Sequence, residues 1–427
     1  MALLRKILFC NLFIITLFAS CDEFGAIGGE HPGVNVGDSS QDTTTVQPNI
    51  TPIAKGDTVS RTLLLYLIAE NSISDYLEDD FEEIKSAAYD MPGDVRLFVY
   101  FDNSDTTRLP RLVQYQPYNK SLIEDVVYTF EEDVCSSDTA VLGKVLDIVF
   151  DNFPTKAFDL VLGSHADGWV RHRAKSASNR IIGIDNDRNT YSNTITTTIE
   201  IEELSALLGR MPVKVDRLMF DACLMQSVEV AYALRNVANW IIASPAEIPA
   251  YGAPYDRMVQ EFFNPASGVA DIMYEYKKSY DNESYAAVLS AVNTSYMQEL
   301  ADSTSRYVKK YFDVDSVYDY TSSLAYVPQK APAYYDINSV MKRILDSEDY
   351  EQWKTVFDKA VPYAMISNSR KVWSNMTYSA YSVVEITDDC GAVSAYFPQK
   401  KSLNLSCNND FRTTEWYKAA GWDAAGW

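Results

Sequence analysis

From residue 60 to about residue 265, short apolar runs alternate with amphipathic stretches. Runs such as "RTLLLYLIAE" and "FDLVLGSH" carry apolar side chains at successive positions, which is typical of strands buried on both faces. The stretch "SISDYLEDDFEEIKSAAYDM" between two such runs has the periodicity of a helix. Strands separated by helices favour a mainly parallel sheet covered on both sides, so we predict an α/β fold.

The pattern becomes less regular after this core, which we place at residues 59–265. We expect an α+β extension at residues 266–427, with a strand and a long helix in "YAAVLSAVNTSYMQELADSTSRYVKKYF". We also expect a helix in "YEQWKTVFDKAVPYAMI" and strands in "YSVVEI" and "GAVSAYFP". The pattern leaves open whether this extension forms a separate domain or continues the same sheet.

Residues 1–20 have the charge, length and small-residue ending of a secretory signal, with an apolar run too short to span a membrane. The ending "FASC" resembles a bacterial lipoprotein signal, in which Cys21 is lipidated and becomes the mature N-terminus. We therefore expect an exported protein that a lipid anchors to the bacterial cell envelope, at the outer membrane or the cell surface. The alternative is a plain secreted protein with Cys21 as an ordinary residue.

Residues 21–58 are rich in Gly, Ser, Thr, Asp and Pro and contain one aromatic residue, Phe24, which predicts a flexible tether. A flexible segment of this length spans on the order of 35 Å. The chain has a formal net charge of -22, and removal of residues 1–20, with Arg5 and Lys6, changes it to -24. Such a charge is repelled by phosphates, so we expect no nucleic-acid partner.

Two of the predicted strands end at reactive side chains. "FDLVLGSHADGW" carries His165 and "VDRLMFDAC" ends at Cys223, and ligands bind at the carboxyl ends of parallel strands. A thiol at the start of the following helix would feel the positive end of the helix dipole, which favours the thiolate. A nearby imidazole could exchange its proton, completing a Cys-His dyad. The alternative for each residue is a structural role, since lone cysteines are usually buried core residues.

Several segments resemble the clostripain-like cysteine peptidases, which share a fold with caspases, legumains and gingipains. They include "SHADGW", "RLMFDACLMQSVEVAYAL" and "IIASPAEIPAYGAPYD". The resemblance implies a three-layer, caspase-like sandwich and a peptide or protein substrate. It also implies that His165 is the catalytic histidine and Cys223 the nucleophile.

The resemblance implies further roles near these two residues. The backbone N–H of Ala166, where the family often has glycine, would bind the oxyanion together with the N–H of Cys223, if the backbone there does not need a positive φ. Asp221 would line the pocket that recognises an Arg or Lys side chain of the substrate. Glu247 is a weaker candidate for a second acidic residue in the wall of that pocket. The alternative for Asp221 is a carboxylate that caps the next helix.

The sequence contains no HExxH, paired CxxC or Gly-Lys-Ser phosphate loop, so we expect no required cofactor and no metal ligands in the site. Calcium, which some relatives use, could be bound by "DNDRN" at 185–189. Family members can be cut in the loop after the histidine, where this chain has Arg171, Arg173, Lys175 and Arg180. Cys390 and Cys407 are a candidate disulfide pair in an exported protein.

Three functions are compatible with these features. The first is a lipid-anchored cysteine endopeptidase that cuts after basic residues. The second is a catalytically inactive relative acting as a surface binding lipoprotein, for which Ala166 is the strongest sequence argument. The third is an acyl-transferring hydrolase that uses the same dyad on other substrates.

The lipid anchor can be tested by removing its attachment point. We expect Cys21→Ser to move the mature chain from the membrane to the soluble fraction, because the acyl chains would have no thiol to attach to. Fractionation of cells followed by immunoblotting measures this distribution. A Cys21→Ser protein that still sediments with membranes would mean that the anchor lies elsewhere.

Overall fold

The computed structural model describes residues 52–105, 107–118, 121–170, 182–185, 198–314, 322–328, 334–374, 382–398 and 406–427. The strands in these ranges are β1 (Arg61–Ala69), β2 (Val95–Asn103), β3 (Arg111–Tyr118), β4 (Ser121–Thr129), β5 (Phe158–Gly163), β6 (Val215–Asp221), β7 (Ala238–Ala243), β8 (Val288–Asn293), β9 (Tyr335–Asp336), β10 (Tyr363–Ile366), β11 (Lys371–Ser374), β12 (Ser382–Glu385) and β13 (Ser394–Ala395).

The helices in the same ranges are α1 (Ser74–Ala87), α2 (Thr139–Asn152), α3 (Ile201–Gly209), α4 (Val228–Ala233), α5 (Tyr255–Phe263), α6 (Val269–Tyr280), α7 (Met297–Tyr311), α8 (Ile337–Ile344), α9 (Ser347–Ala360), α10 (Ser406–Phe411) and α11 (Glu415–Ala419). Short 3₁₀ turns occupy Ala88–Asp90 and Thr294–Tyr296. No helix in the described ranges is long and apolar enough to cross a membrane.

A mixed sheet of nine strands forms the centre of the fold, in the order β10-β8-β7-β6-β5-β1-β2-β3-β4. The central strands β7, β6, β5, β1 and β2 run parallel to one another. Antiparallel strands close the sheet at both ends, β3 and β4 on one side and β8 and β10 on the other. The parallel centre confirms the α/β fold predicted from the alternating pattern.

Helices cover both faces of this sheet. Alternate residues of β1 enter different cores: Leu64 and Tyr66 pack with α2 and α3, whereas Leu63 and Leu65 pack with α1, α5 and α6. Both faces of the strand are therefore out of water, which is why its sequence is continuously apolar instead of alternating. The arrangement is the three-layer sandwich expected from the sequence.

The sequence located most core elements but missed some. The sequence predicts a helix across "SSDTAVLGKVLDIVFDNF" with Ser136, Ser137 or Asp138 as its cap. The helix begins at Thr139, and its cap is Asp138, whose side chain accepts a hydrogen bond from the N–H of Ala140 at 2.8 Å. The antiparallel hairpin of β3 and β4 was not foreseen. The prediction of helix throughout "YEQWKTVFDKAVPYAMI" was wrong at its end, because α9 stops at Ala360, before Pro362, and the residues after it form β10.

Residues 266–427 continue the central sheet, which the sequence pattern had left open. Strands β8 and β10 come from this stretch and extend the sheet beyond β7. The stretch therefore contributes to the central sheet as well as to the helices packed on it. The boundary drawn at residue 265 remains a prediction, and the predicted signal, Cys21 and most of the tether lie outside the described residues.

A buried ion pair joins the amino ends of the central strands. Asp159 of β5 is fully buried and accepts hydrogen bonds from Nε and Nη2 of Arg217 of β6, at 2.9 and 2.5 Å. It also accepts one from Nη1 of Arg61 of β1 at 2.7 Å. One carboxylate thus ties three neighbouring strands at the edge opposite their carboxyl ends.

Removing this carboxylate should destabilise the fold, because Arg217 would keep a buried charge without its partner. We expect Asp159→Ala to lower the free energy of unfolding by about 3–5 kcal/mol. Urea denaturation followed by circular dichroism measures the loss. Asp151→Ala, on the exposed side of α2, serves as the control and should change stability by less than about 0.5 kcal/mol. Equal unfolding midpoints for the two variants would contradict this role for Asp159.

Candidate active site

The parallel register of β5 and β6 brings the two reactive side chains to one edge of the sheet. Gly163 pairs with Asp221 at the ends of these strands, and His165 and Cys223 each follow two residues later. Neighbouring strands lie about 4.8 Å apart, so equal steps beyond a paired position keep the two residues close. Both side chains line one cavity, together with Asp221.

His165 is held from several sides. It is 4% exposed, and its Nε2 lies 3.0 Å from the hydroxyl Oγ of Ser72, in the loop between β1 and α1. Its carbonyl accepts a hydrogen bond from the N–H of Gly183 at 2.9 Å. The preceding Ser164 hydroxyl donates to the carbonyl of Ile68 at 3.1 Å. These contacts fix both the backbone and the ring at the strand end.

Cys223 is not at the start of a helix, so that expectation was wrong. Helix α4 begins only at Val228 and has six residues, whereas the effect of a helix dipole falls off within the first turn. Ile248 contacts the thiol on both sides of its peptide unit: its N–H lies 3.4 Å from Sγ, and its carbonyl oxygen lies 4.0 Å from Sγ. The chain turns sharply after Cys223, where Leu224 has φ of 63°.

Ala166 fits its position without strain. Among the described residues that are not glycine, positive φ values occur at Leu224, Arg370 and Ala392, and Ala166 is not one of them. Its side chain is buried, and its backbone pairs with Ile182 in an antiparallel bridge. An alanine here keeps the N–H, so the replacement of glycine costs the site no backbone donor.

Asp221 lines the cavity and does not cap the next helix. The cap of α4 is Ser227, whose side chain accepts a hydrogen bond from the N–H of Val230. Oδ2 of Asp221 instead accepts hydrogen bonds from the N–H of Ala253 at 3.0 Å and the hydroxyl of Tyr255 at 2.9 Å. Oδ1 is buried and has no hydrogen-bond partner among the described residues. Burial raises the pKa of Asp221, although these two hydrogen bonds lower it.

The structure adds a carboxylate that the sequence reasoning missed. Asp80 of α1 is 3% exposed and lines the same cavity. Burial, followed by the charge of Asp221, raises the pKa of Asp80 well above its usual value. A signal was available, because Asp80 lies between Leu77 and Phe81 on the apolar stripe of an amphipathic helix, where a carboxylate is unusual.

Gly252 lines the cavity beside both carboxylates. A Cβ atom at this position would lie 2.8 Å from Oδ2 of Asp221 and 3.4 Å from Oδ2 of Asp80, and its φ is +60°. Glycine therefore leaves the space between the two carboxylates open. Glu247, the predicted second acidic wall, is buried but is not among the residues that line this cavity.

The described residues contain one group of carboxylates close enough to hold a metal ion. Oxygen atoms of Glu70, Asp102 and Asp133 lie within 4.8 Å of one another, and oxygen ligands suit calcium. Asp185, which opens the predicted calcium segment, accepts a hydrogen bond from the N–H of Ser136. Residues 186–189 lie outside the described residues, so the role of that segment remains a prediction.

The sequence suggested Cys390 and Cys407 as a candidate disulfide pair. Cys390 and Cys407 are both reduced and unbridged. Cys390 Sγ lies 3.1 Å from the hydroxyl of Tyr326, and Cys407 Sγ lies 3.6 Å from that of Tyr396. Each sulfur is thus held by a different tyrosine, and the candidate disulfide is not formed. The basic residues proposed as cleavage sites in the loop after His165 lie outside the described residues.

The sequence resembles known proteins over most of its length. The sequence model of the Clostripain family, peptidase family C11, matches residues 65–427. The chain belongs to the Clostripain family. This match contains the predicted histidine, cysteine and aspartate of the site and extends through the strands that residues 266–427 add to the sheet. Membership confirms the resemblance noted in the sequence.

Relatives within the Clostripain family agree with the fold. Clostripain of Hathewaya histolytica is 27% identical over 220 residues, covering 46% of this chain and 41% of its own. The structure of an inactive zymogen C11 protease from Parabacteroides distasonis is 26% identical, with a TM-score of 0.71 over 85% of this chain and 99% of its own. A secreted C11 cysteine protease from Bacteroides thetaiotaomicron, in complex with an irreversible peptide inhibitor, is 26% identical, with a TM-score of 0.72 over 86% and 100%. The caspase-like sandwich is therefore confirmed.

Proposed function

We propose that this protein is a cysteine endopeptidase that hydrolyses peptide bonds through Cys223 and His165 and cuts after Arg or Lys. The observation that carries this proposal is the register of β5 and β6, which leaves His165, Cys223 and Asp221 lining one cavity. Membership of the Clostripain family supports the same chemistry. The relative from Bacteroides thetaiotaomicron that binds a peptide inhibitor supports a peptide as the ligand.

The first half of the reaction acylates the enzyme. Sγ of Cys223 attacks the carbonyl carbon of the scissile bond while His165 takes the thiol proton. The hydroxyl of Ser72 lies beside Nε2 of His165, so Nδ1 is the nitrogen left to exchange this proton. The C–N bond then breaks, His165 protonates the leaving amine, and a thioester remains on Cys223.

The second half releases the acid. His165 removes a proton from water, the resulting hydroxide attacks the thioester, and the C–S bond breaks to return the thiol and free a carboxylic acid. In both halves a negative charge develops on the carbonyl oxygen. The N–H groups of Ala166 and Cys223 are the donors we assign to it. The φ of Ala166 is not positive, which supports an intact backbone donor here and favours an active enzyme over an inactive binding protein.

The lining of the cavity combines apolar and acidic side chains. It includes the apolar side chains of Ile73, Leu77 and Ile248 and the carboxylate of Asp221. Arg and Lys combine an apolar stem with a charged end, so they match both parts. We expect Arg to be preferred, because its guanidinium can make a two-point contact with a carboxylate and the ammonium of Lys cannot.

The N-terminal sequence supports a proposal for the location of the protein. We propose that Cys21 carries lipid and that the tether at 21–58 holds the peptidase away from the membrane of a bacterial envelope. The support is the apolar run of residues 7–19 that ends in "FASC". A site facing the exterior of the cell would meet extracellular peptides and proteins as substrates.

The dyad makes a direct prediction for activity. Cys223→Ala and His165→Ala should each lower kcat on fluorogenic peptides by several orders of magnitude, because neither half of a dyad works alone. Circular dichroism should show that both variants are folded. Cys407→Ala, a cysteine outside the cavity, is the matched control and should retain activity. Near wild-type turnover in a folded Cys223→Ala or His165→Ala protein would refute the assignment.

The specificity pocket makes a second prediction. Asp221→Asn keeps the shape but removes the charge, so kcat/KM for Arg peptides should fall by roughly tenfold to a thousandfold, equivalent to about 1.5–4 kcal/mol. Hydrolysis of peptides with a neutral residue before the scissile bond should change much less. The exposed Asp256→Asn is the control for charge in general. If Asp221→Asn slowed all substrates equally, Asp221 would serve the dyad or the fold instead of specificity.

A further inference from the structure

We propose that Asp80 is a specificity-determining residue that holds the cationic side chain of the substrate together with Asp221. This inference rests on the proposed function, since it assigns a second acidic group to the same pocket. It differs from the sequence prediction, which looked for the second acid at Glu247. Asp80 comes from α1, on a different part of the chain from the loops that follow β5 and β6.

The two carboxylates face one space. Oδ2 of Asp221 and Oδ2 of Asp80 lie 2.8 and 3.4 Å from the point where a Cβ of Gly252 would be. Both residues line the cavity that also contains His165 and Cys223. A side chain that enters this space between the apolar walls therefore meets both carboxylates.

Both carboxylates retain the capacity to accept hydrogen bonds. Asp221 uses Oδ2 for Ala253 and Tyr255, while its Oδ1 is buried without a partner. Asp80 accepts no hydrogen bond from any residue that the structure describes, and neither carboxylate has an Arg or Lys partner in the same ranges. A guanidinium carries five N–H donors in one plane. It would satisfy acceptors on both carboxylates at once, which a single ammonium does less well.

The charges around Asp80 also favour the binding of a cationic side chain. The groups that raise the pKa of Asp80, after burial itself, are the negative Asp221, Glu83 and Asp79. Like charges this close oppose full ionisation of the pair, which favours a proton shared by the two carboxylates when no cation is bound. A cationic side chain would take over the role of that proton and allow both carboxylates to ionise. The pocket thus discriminates against a neutral side chain of the same shape.

A purely structural role explains Asp80 poorly. A buried carboxylate that accepts no hydrogen bond lowers stability, because its charged form has lost water without gaining a donor. Its pKa is raised on folding, so the folded state binds more protons and loses stability as the pH rises above the usual carboxyl value. Asp80→Asn should therefore unfold at the same temperature as the wild type or at a higher one at pH 7.

Entry of an Arg side chain requires a movement. The cavity has a volume of about 20 Å³, room for roughly one water molecule. Leu77 and Asp80 of α1 and Asp221 at the end of β6 form part of its lining, whereas residues 248–252 lie in a loop. We therefore expect substrate to displace this loop while Asp80 and Asp221 stay in place.

The experiment compares peptides that carry arginine or citrulline before the scissile bond. Citrulline is nearly isosteric with arginine and neutral, so the ratio of the two kcat/KM values measures recognition of charge. We expect Asp80→Asn to lower this ratio by at least about tenfold, with the citrulline peptide little affected. Asp75→Asn, an exposed residue on the same helix, is the matched control and should keep the wild-type ratio.

Two further measurements separate recognition from catalysis. Binding of an arginine-amide tripeptide to Cys223→Ala protein, measured by calorimetry, should weaken when Asp80→Asn is added. The double variant Asp80→Asn/Asp221→Asn should lose less than the product of the two single losses, because both residues hold one guanidinium.

The outcomes distinguish the two proposals. A wild-type preference for arginine that Asp80→Asn leaves unchanged would overturn only the role of Asp80. A wild-type enzyme that cleaves arginine and citrulline peptides equally would overturn the proposed specificity for basic residues, and the role of Asp80 with it. A lower melting temperature for Asp80→Asn, with an unchanged ratio, would assign Asp80 to the fold.

Discussion

The parallel pairing of β5 with β6 is the constraint on which the site depends. At the amino ends of these strands, Asp159 holds Arg217 in a buried ion pair. At their carboxyl ends, the same register pairs Gly163 with Asp221, which leaves His165 and Cys223 side by side. Because the period of a strand is two residues, a slip of one residue would turn Cys223 and Asp221 away from the cavity. The ion pair at one edge thus helps to preserve the geometry at the other.

Two buried carboxylates that repel each other lie in the cavity that also contains His165 and Cys223. Asp80 and Asp221 are buried near each other, and burial raises the pKa of both. This arrangement is costly when no cation is bound, since burial of unpaired carboxylates lowers stability. A substrate with a positive side chain would relieve this cost, as the proposed specificity for Arg or Lys requires. The fold tolerates the cost of these buried carboxylates because α1 and the strand ends around the pocket pack into extensive apolar cores.

Prediction from the sequence succeeded where local pattern and burial agree. The strands around Leu64 and Leu160 are continuously apolar because both faces are covered, and both were located correctly. Prediction failed where tertiary contacts override the local pattern. The segment around Met365 was assigned to a helix, yet it pairs with β8 at the edge of the sheet. The helix expected directly after Cys223 is delayed to Val228, because the chain first turns through Leu224.

The sequence by itself determined the layered α/β fold and the two strand ends that carry His165 and Cys223, because the period of apolar residues records which faces are buried. It also placed Asp221 two residues before Cys223, near the end of the same predicted strand. Only the tertiary structure decided which acidic residue stands opposite Asp221. That residue is Asp80 rather than Glu247, and no sequence spacing relates α1 to the end of β6. Their proximity follows from the packing of α1 on the sheet, which is set by the whole core.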